Sequence, residues 1–244
     1  MGLLEQLRER WWKKVIENDL ASKKIIIRMR PLKPEEAIGV PARREYPLLK
    51  GKEVMIQAEI DGAIGQAFTD SPTEFSGTLK DLNTLKLDIT INRALLIAGI
   101  NATYRLLNLI EGTKHCKNNG PEECAERISN FLYNKYGDVK IALIGFQPAI
   151  ASHLLRKFSK IRVTDIDSEN IGRVFEGITI ESYLLNNEVM SWSDIILATG
   201  STIVNNTIQD ILIFVTEKPV YFYGVTVATL AYEFKLNRLC FNSL

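Results

Sequence analysis

The sequence predicts an α/β protein in which a small α+β domain, residues 1–111, precedes a doubly wound parallel sheet, residues 112–244. Beyond residue 138, apolar runs typical of buried parallel strands alternate with segments compatible with helices. In the first half, two alternating runs flank Asp61-Gly62, a dipeptide that favours a tight hairpin turn. A chain of 244 residues is long enough for two domains that each have a core.

The elements of the first domain follow from local patterns. Apolar side chains recur at every fourth position after Gly2, which predicts an amphipathic opening helix. The run KKIIIRMR predicts a strand, and a loop rich in proline begins at Pro31. Strands on both sides of the Asp61-Gly62 turn come next, followed by helices predicted at about 79–87 and 91–110.

The second domain is expected to open with a helix between Pro121 and Gly137, because proline suits a first helical turn and glycine ends a helix. Short apolar runs after it predict strands, each with turn residues or a helical segment behind it. These runs are VKIALIGF, KIRVTDID, GITIE, SDIILATG, PVYFYG and RLCF. The repeated alternation predicts a Rossmann-like, doubly wound parallel sheet.

Composition excludes several classes of partner. A formal net charge of +1 provides no overall attraction to nucleic acid or to an anionic membrane. The first residues become charged too early for a signal peptide, and the most apolar long stretch contains charged side chains. We therefore expect a cytoplasmic protein with no nucleic-acid or membrane partner, and the sequence leaves a homo-oligomer open. The three cysteines are expected to be reduced.

Ligand-binding residues are predicted in the loops that follow four of the strands, because ligands of open parallel sheets bind beyond the carboxyl ends of the strands. The predicted residues are Gly145, Gln147, Pro148, Asp165, Asp167, Thr199, Gly200, Ser201, Thr202, Asn205, Gly224 and Thr226. The first loop has only one glycine of the G-x-G-x-x-G pattern, so NAD binding of the usual dinucleotide type is not expected.

Two of these loops allow more than one interpretation. Asp165 follows Gly145 by about 20 positions, the interval at which Rossmann-type domains place an acid for ribose hydroxyls. Asp165 or Asp167 could instead cap a turn, or the two could bind a hard cation. The dense hydroxyl and amide groups from Thr199 to Asn205 suit an anion or a polar ligand, with helix capping as the alternative.

His115, Cys116 and Cys124 form the only cluster of histidine and cysteine along the sequence. Imidazole and thiolate groups favour transition metals, so His115 and Cys116 are predicted metal ligands. A closed zinc site needs four ligands, however, and structural thiols are the alternative interpretation. Cys240 is interpreted as an ordinary core thiol.

Several motifs in order resemble a family of two-domain proteins described as "putative heavy-metal chelation" proteins. The motifs are IAGINATYRL, HCKNNGPEECA, IGFQPA, VTDIDSENIG and ATGSTIVNNT. The resemblance implies an enolase amino-terminal-like domain joined to an atypical, methyltransferase-like Rossmann domain, with the active site in the cleft between them. The chain departs from the family pattern at Gly224-Val225-Thr226, where the resemblance implies a Gly-Pro-like turn.

The loops and the resemblance together predict that the interdomain cleft binds or processes a small metal chelate or metallophore, with His115 and Cys116 near the metal. An enzyme that uses S-adenosylmethionine or another nucleotide-type cofactor is the main alternative. A non-catalytic assembly protein is the third possibility. The expected cofactor is accordingly a transition metal or S-adenosylmethionine, and the sequence leaves open whether a reaction is catalysed.

Overall fold

A computed structural model describes residues 2–28, 54–70 and 73–244 of the chain. The predicted loop after Pro31 lies outside the described residues. The described ranges form one antiparallel sheet and one mostly parallel sheet, both covered by helices, which confirms the predicted α/β class. The enolase-like and Rossmann-like labels, and the domain boundary at residue 111, stay predictions. None of the described helices combines the length and apolar character needed to cross a bilayer.

The antiparallel sheet has four strands in the order β3-β2-β1-β4. Its strands are β1 (Lys24–Arg28), β2 (Val54–Ile60), β3 (Ala63–Thr69) and β4 (Phe75–Thr78). The predicted hairpin is confirmed, because Ile60 pairs with Ala63 and both turn residues have a positive φ, 48° at Asp61 and 81° at Gly62. Strand β4 was not predicted, since its four residues are too few to show a period.

Three helices pack on this sheet: α1 (Leu3–Glu17), α2 (Leu79–Asn83) and α3 (Thr90–Leu106). Helices α2 and α3 are shorter than the predicted 79–87 and 91–110. The apolar residues Leu85 and Leu87 that suggested a longer α2 contact the core from a segment that is not helical. Helix α3 ends because Asn108 takes a positive φ of 54°.

The second sheet has seven strands in the order β11-β10-β9-β5-β6-β8-β7, and all neighbours are parallel except β7 and β8. The strands are β5 (Ile141–Ile144), β6 (Ile161–Asp165), β7 (Val174–Phe175), β8 (Ile178–Ser182), β9 (Ile195–Thr199), β10 (Val220–Tyr223) and β11 (Asn237–Arg238). The order reverses at β5, which lies between β6 and β9, and such a reversal opens a crevice at the carboxyl ends of the strands.

Helices cover both faces of the parallel sheet. They are α4 (Gly120–Tyr136), α5 (Pro148–Leu155), α6 (Asn186–Trp192), α7 (Ile208–Leu212) and α8 (Ala228–Phe234). Side chains alternate along each strand, so Leu143 joins the core under α4 and α5, while Ile144 joins the core of the opposite face. That second core continues without a break into the residues of α1 and α3. The two parts of the chain therefore share one hydrophobic core.

Helix α3 is buried on nearly all sides because it lies between the antiparallel sheet and the second half of the chain. Gly65 of β3 allows the close approach, since a side chain there would collide with the backbone of α3. Two polar side chains of α3 then reach across to strand-end loops. Arg93 Nε donates to the Val204 carbonyl at 2.6 Å, and Asn101 Nδ2 donates to the Val225 carbonyl at 3.2 Å.

Asn101 uses both ends of its buried carboxamide. Nδ2 also donates to the Gln66 carbonyl of β3 at 3.1 Å, and Oδ1 accepts from the backbone amide and the hydroxyl of Thr229 at 3.1 and 2.7 Å. One side chain thus connects α3, β3 and the start of α8. Its removal takes a hydrogen bond from each of these buried groups.

We expect Asn101→Ala to lower the free energy of unfolding by about 2–4 kcal/mol, because buried donors and acceptors lose their partner. Asn134→Ala is the matched control, since Asn134 is an exposed residue within α4 and its removal should change stability by less than about 0.5 kcal/mol. Urea unfolding followed by tryptophan fluorescence measures both. Equal effects of the two substitutions would contradict the role given to Asn101.

Candidate functional site

A cavity of about 160 Å³ lies at the carboxyl ends of β5, β6, β9 and β10. Residues of all four predicted loops line it, together with both predicted metal ligands. The predicted residues on its wall are His115, Cys116, Gly145, Gln147, Asp165, Thr199, Gly200, Ser201, Thr202, Asn205, Gly224 and Thr226. Pro148 and Asp167 are not part of the wall. Phe68 of β3 is, so the first half of the chain contributes to the same cavity.

The loop after β5 is held tightly against its neighbours. Gly145 has a φ of 88°, and its carbonyl accepts a hydrogen bond from the Tyr223 hydroxyl at 2.8 Å. Gln147 caps α5, because its Oε1 accepts from the Ile150 amide at 2.5 Å, and Pro148 occupies the first turn of that helix. The side chains of Gln147 and Pro148 therefore stabilise the conformation of the loop and the start of α5.

Asp165 joins the first two loops. One carboxylate oxygen accepts from the Phe146 amide and the other from the Asp167 amide, both at 2.7 Å. Burial raises the pKa of Asp165, and these hydrogen bonds to the charged form offset part of the rise. Asp167 accepts from the Glu169 amide at 2.9 Å, which is the turn-capping role considered from the sequence.

The loop after β9 begins with a 3-10 turn over Gly200–Ile203. Most of its hydroxyls are used locally: Thr202 Oγ1 donates to the Thr199 carbonyl at 2.8 Å, and Thr199 Oγ1 accepts from the Ser201 amide at 3.3 Å. The half-buried Asn205 differs, because its carboxamide has no hydrogen-bond partner among the described residues. Asn205 is thus a cavity-lining polar group that is open to a ligand.

The loop after β10 connects the cavity to β3. Gly224 has a φ of 94° with open space where a side chain would point, and the buried Thr226 accepts from the Phe68 amide at 3.1 Å. The Phe68 ring meets the His115 ring edge-on, with centroids 5.6 Å apart. Thr226 therefore positions the aromatic wall of the cavity through a backbone contact.

His115 is held in a defined orientation. Its amide donates to Gln66 Oε1 at 2.7 Å, and its Nδ1 lies 2.7 Å from the Cys116 carbonyl oxygen. A carbonyl only accepts, so Nδ1 carries the proton and Nε2 keeps a free lone pair. Burial lowers the pKa of the imidazole, which keeps the ring neutral at pH 7. A neutral ring fixed through its Nδ1–H is the arrangement of most metal-binding histidines.

The prediction for Cys240 is wrong, because its thiol is half-buried and lies on the cavity wall with Cys116 and Cys124. RLCF suggested a strand through this residue, but β11 ends at Arg238. The following residues turn back toward His115, since Leu244 and Lys114 exchange two backbone hydrogen bonds of 2.8 Å. All three cysteines of the chain therefore face one cavity.

The three thiols differ in ionisation. Burial raises the pKa of Cys116 to about 12. The interaction between the other two thiols raises the pKa of Cys124 and lowers that of Cys240, which is further lowered by the nearby Arg238 guanidinium. Among the described residues, no three histidine, cysteine, aspartate or glutamate side chains form a group that could hold a metal ion.

Phe68, Tyr183 and Asn186 are among the further wall residues that sequence reasoning missed. Tyr183 directly follows β8, so the strand-end argument would have found it. Asn186 begins α6, a helix that was not predicted, and its Oδ1 accepts from the Thr164 hydroxyl at 2.5 Å. No local signal marks Phe68, which reaches the cavity from the other sheet.

Residues 130–238 match the model of the DUF364 family, which carries the description "Putative heavy-metal chelation". The predicted family resemblance is confirmed. The match covers the parallel sheet from the middle of α4 to the end of β11, and so includes the four predicted loops. No curated protein matches the chain.

Two solved structures of DUF364 proteins of unknown function share the fold. The protein from Pyrococcus horikoshii is 19% identical with a TM-score of 0.54, and the match covers 92% of this chain and 79% of that one. The protein from Desulfitobacterium hafniense DCB-2 is 14% identical with a TM-score of 0.52, and the match covers 75% and 73%. At these identities the likeness concerns the fold alone.

We expect Gly145→Ala to be the more damaging of two glycine substitutions. Its Cβ would lie 2.6 Å from Thr199 Cγ2, whereas the Cβ of Gly177→Ala, at a similar φ of 92°, would meet open space. The Gly177 variant should lose about 1 kcal/mol of unfolding free energy, and the Gly145 variant about 2 kcal/mol more. Urea unfolding measures both, and equal losses would show that the loop yields to the added methyl group.

Proposed function

We propose that the cavity binds a small metal chelate, with its organic part at the loop after β9 and its metal beside His115 and Cys116. The observation that carries this proposal is the combination, on one cavity wall, of a neutral imidazole with a free Nε2 and an amide group with no described partner. The family description supports the same chemistry.

The metal end of the proposed site relies on His115. The Cys116 carbonyl holds the ring through Nδ1, so Nε2 offers its lone pair without a prior loss of a proton. Cys116 lies next to it, with its sulfur 3.9 Å from Nδ1, but its raised pKa keeps the thiol protonated until a metal displaces the proton. Nitrogen and sulfur donors together favour transition metals over magnesium or calcium.

The organic end relies on short polar side chains. Asn205 offers a donor and an acceptor, and Asn186 offers its Nδ2, which donates to no described residue. Carboxylate and carbonyl groups of a chelator accept hydrogen bonds from such amides. Gly224 leaves room for a ligand to approach the backbone, because no atom lies within 4 Å of the position that a Cβ would occupy.

The proposal is tested with protein purified without added metal, by elemental analysis and by melting curves in the presence of Ni²⁺, Co²⁺, Zn²⁺ and Cu²⁺, alone and as citrate or histidine complexes. A bound chelate should raise the melting temperature, and the rise should grow with the logarithm of the chelate concentration above the Kd. Recovery of the chelate by mass spectrometry, intact or altered, reports whether it is processed. No bound metal and no shift with any complex would refute the proposal.

Asn205→Ala should weaken binding of the stabilising complex about tenfold, equivalent to about 1.4 kcal/mol, through loss of a ligand hydrogen bond. Asn134→Ala serves again as the control, because Asn134 is exposed on α4 and is not part of the cavity wall. Isothermal calorimetry measures both variants. If the Asn205 variant and the wild type bound the complex with the same affinity, the organic part of the chelate would not contact Asn205.

The substitution His115→Phe tests the contact with the metal independently of the contacts with the chelator. Phenylalanine keeps a ring beside Phe68 but has no nitrogen, so the variant should lose most of its preference for the metal-loaded chelator and keep only what Cys116 contributes. The wild type should prefer the metal-loaded form about tenfold or more. A preference in the variant equal to that of the wild type would exclude His115 as a metal ligand.

S-adenosylmethionine is the second candidate ligand, and one observation favours it. Asp165 lies at the end of β6, next to the Gly145 loop, and each of its carboxylate oxygens keeps a lone pair beyond the backbone hydrogen bond it accepts. Calorimetry with S-adenosylmethionine and S-adenosylhomocysteine tests this candidate, with Asp165→Ala expected to weaken binding about tenfold. The absence of heat for both compounds would exclude it.

A further inference from the structure

Asp165 is the sole acid among the described residues of the cavity wall, and no lysine or arginine is among them. The residue is buried, with 9% of its surface exposed. Its carboxylate oxygens accept from the Phe146 and Asp167 amides at 2.7 Å, and such hydrogen bonds favour the charged form of an acid. The described wall therefore has a negative charge that no cationic side chain on it balances.

The Asp165 carboxylate also has no ionic partner elsewhere in the described ranges, because none of the ion pairs formed there includes it. Burial raises the pKa of Asp165, and the like charge of Asp167 adds to the rise. Buried charges in proteins are normally paired, since the loss of hydration is costly. The two backbone amides compensate part of this loss, and each oxygen keeps a second lone pair. A cationic group of a ligand would complete the pairing.

An aromatic ring follows the neighbouring strand at the same edge of the sheet. Asp165 pairs with Ser182 between β6 and β8, so the next residue, Tyr183, leaves β8 beside the end of β6. Tyr183 lies on the cavity wall and is 40% exposed, and the Phe68 ring lies on the wall as well. Aromatic rings attract cations to their faces, and carboxylates form strong hydrogen bonds with charged N–H groups. A carboxylate and aromatic rings on one wall therefore suit an ammonium group or a metal-bound amine.

We propose that the ligand presents a cationic N–H group, an ammonium or a metal-bound amine, to Asp165. The cavity then selects amine-type metal chelates, with a net charge of zero or above, over polycarboxylate chelates. This inference rests on the proposed function, because it names the class of chelate that the same cavity binds. The amides of Asn205 and Asn186 still serve the remaining polar groups of the ligand.

Polycarboxylate chelates are disfavoured by the same wall. A carboxylate that enters the cavity loses hydration and meets the charge of Asp165, and the described wall offers no lysine or arginine in return. Asparagine amides donate hydrogen bonds but supply no positive charge. An amine loses hydration too, but it gains a charge-assisted hydrogen bond to Asp165.

The test compares two Ni²⁺ complexes of similar shape by isothermal calorimetry, with the full chain purified without added metal. Tris(2-aminoethyl)amine and nitrilotriacetate both hold Ni²⁺ through a central nitrogen and three short arms, and both leave positions on the metal open for His115. The amine complex is doubly positive, and the carboxylate complex is singly negative. The wild type should bind the amine complex about tenfold or more tightly than the carboxylate complex.

The outcomes separate this inference from the proposed function. Equal affinities, or tighter binding of the carboxylate complex, would overturn the selection for amines and leave metal-chelate binding intact. Binding of neither complex would count against the proposed function, and the inference that rests on it would fall as well.

Two matched substitutions identify the residue responsible. Asp165→Asn removes the charge, so it should weaken binding of the amine complex about tenfold and leave binding of the carboxylate complex unchanged or stronger. Asp19→Asn is the control, because Asp19 is exposed after α1, is not on the cavity wall and has a positive φ of 53° that suits asparagine equally. It should change neither affinity.

Melting temperatures verify that both variants fold. Asparagine can accept only one of the two backbone hydrogen bonds of Asp165 through its oxygen, so Asp165→Asn is expected to lower the melting temperature. If this variant does not fold, the comparison of the two complexes in the wild type decides the proposal. A folded Asp165→Asn variant with the wild-type preference would overturn the role given to Asp165.

Discussion

The buried carboxamide of Asn101 is the interaction on which the arrangement of the candidate site depends. It lies on α3, between the two sheets, and hydrogen-bonds to the backbone on both sides of the helix. A carboxamide suits this position because it donates and accepts at once without carrying a charge into the core. Together with Arg93, which contacts the Val204 carbonyl, it connects the first half of the chain to the loops after β9 and β10.

The polar side chains of these loops fall into two groups, those bonded to neighbouring backbone and those left for a ligand. Thr202, Gln147 and Asp165 use their hydrogen-bonding groups on neighbouring backbone, so they determine the shape of the cavity. Asn205, His115 Nε2 and Asn186 Nδ2 have no described partner and are left for a ligand. A cavity of this kind combines a rigid wall with a few open polar groups, as small-molecule sites usually do.

Sulfur chemistry adds a second property to the same wall. The residues after β11 turn back so that Leu244 pairs with Lys114, and Cys240 then lies on the cavity wall with Cys116 and Cys124. The imidazole of His115 lies close by, so the wall of the cavity carries nitrogen and sulfur donors as well as amides and hydroxyls. Nitrogen and sulfur donors of this kind suit soft metals.

The sequence by itself determined the α/β class, the Asp61-Gly62 hairpin and the loops that form the cavity. These features depend on local periodicity, on glycine's access to positive φ and on the rule that parallel strands end at one edge. Only the tertiary structure decided what each polar side chain does. Asp165 accepts from the amide of Phe146, which the local sequence does not reveal as a partner, and Cys240 reaches the cavity because a long-range backbone pairing redirects the chain. Roles of this kind depend on neighbours brought together by folding, and no periodicity along the chain encodes them.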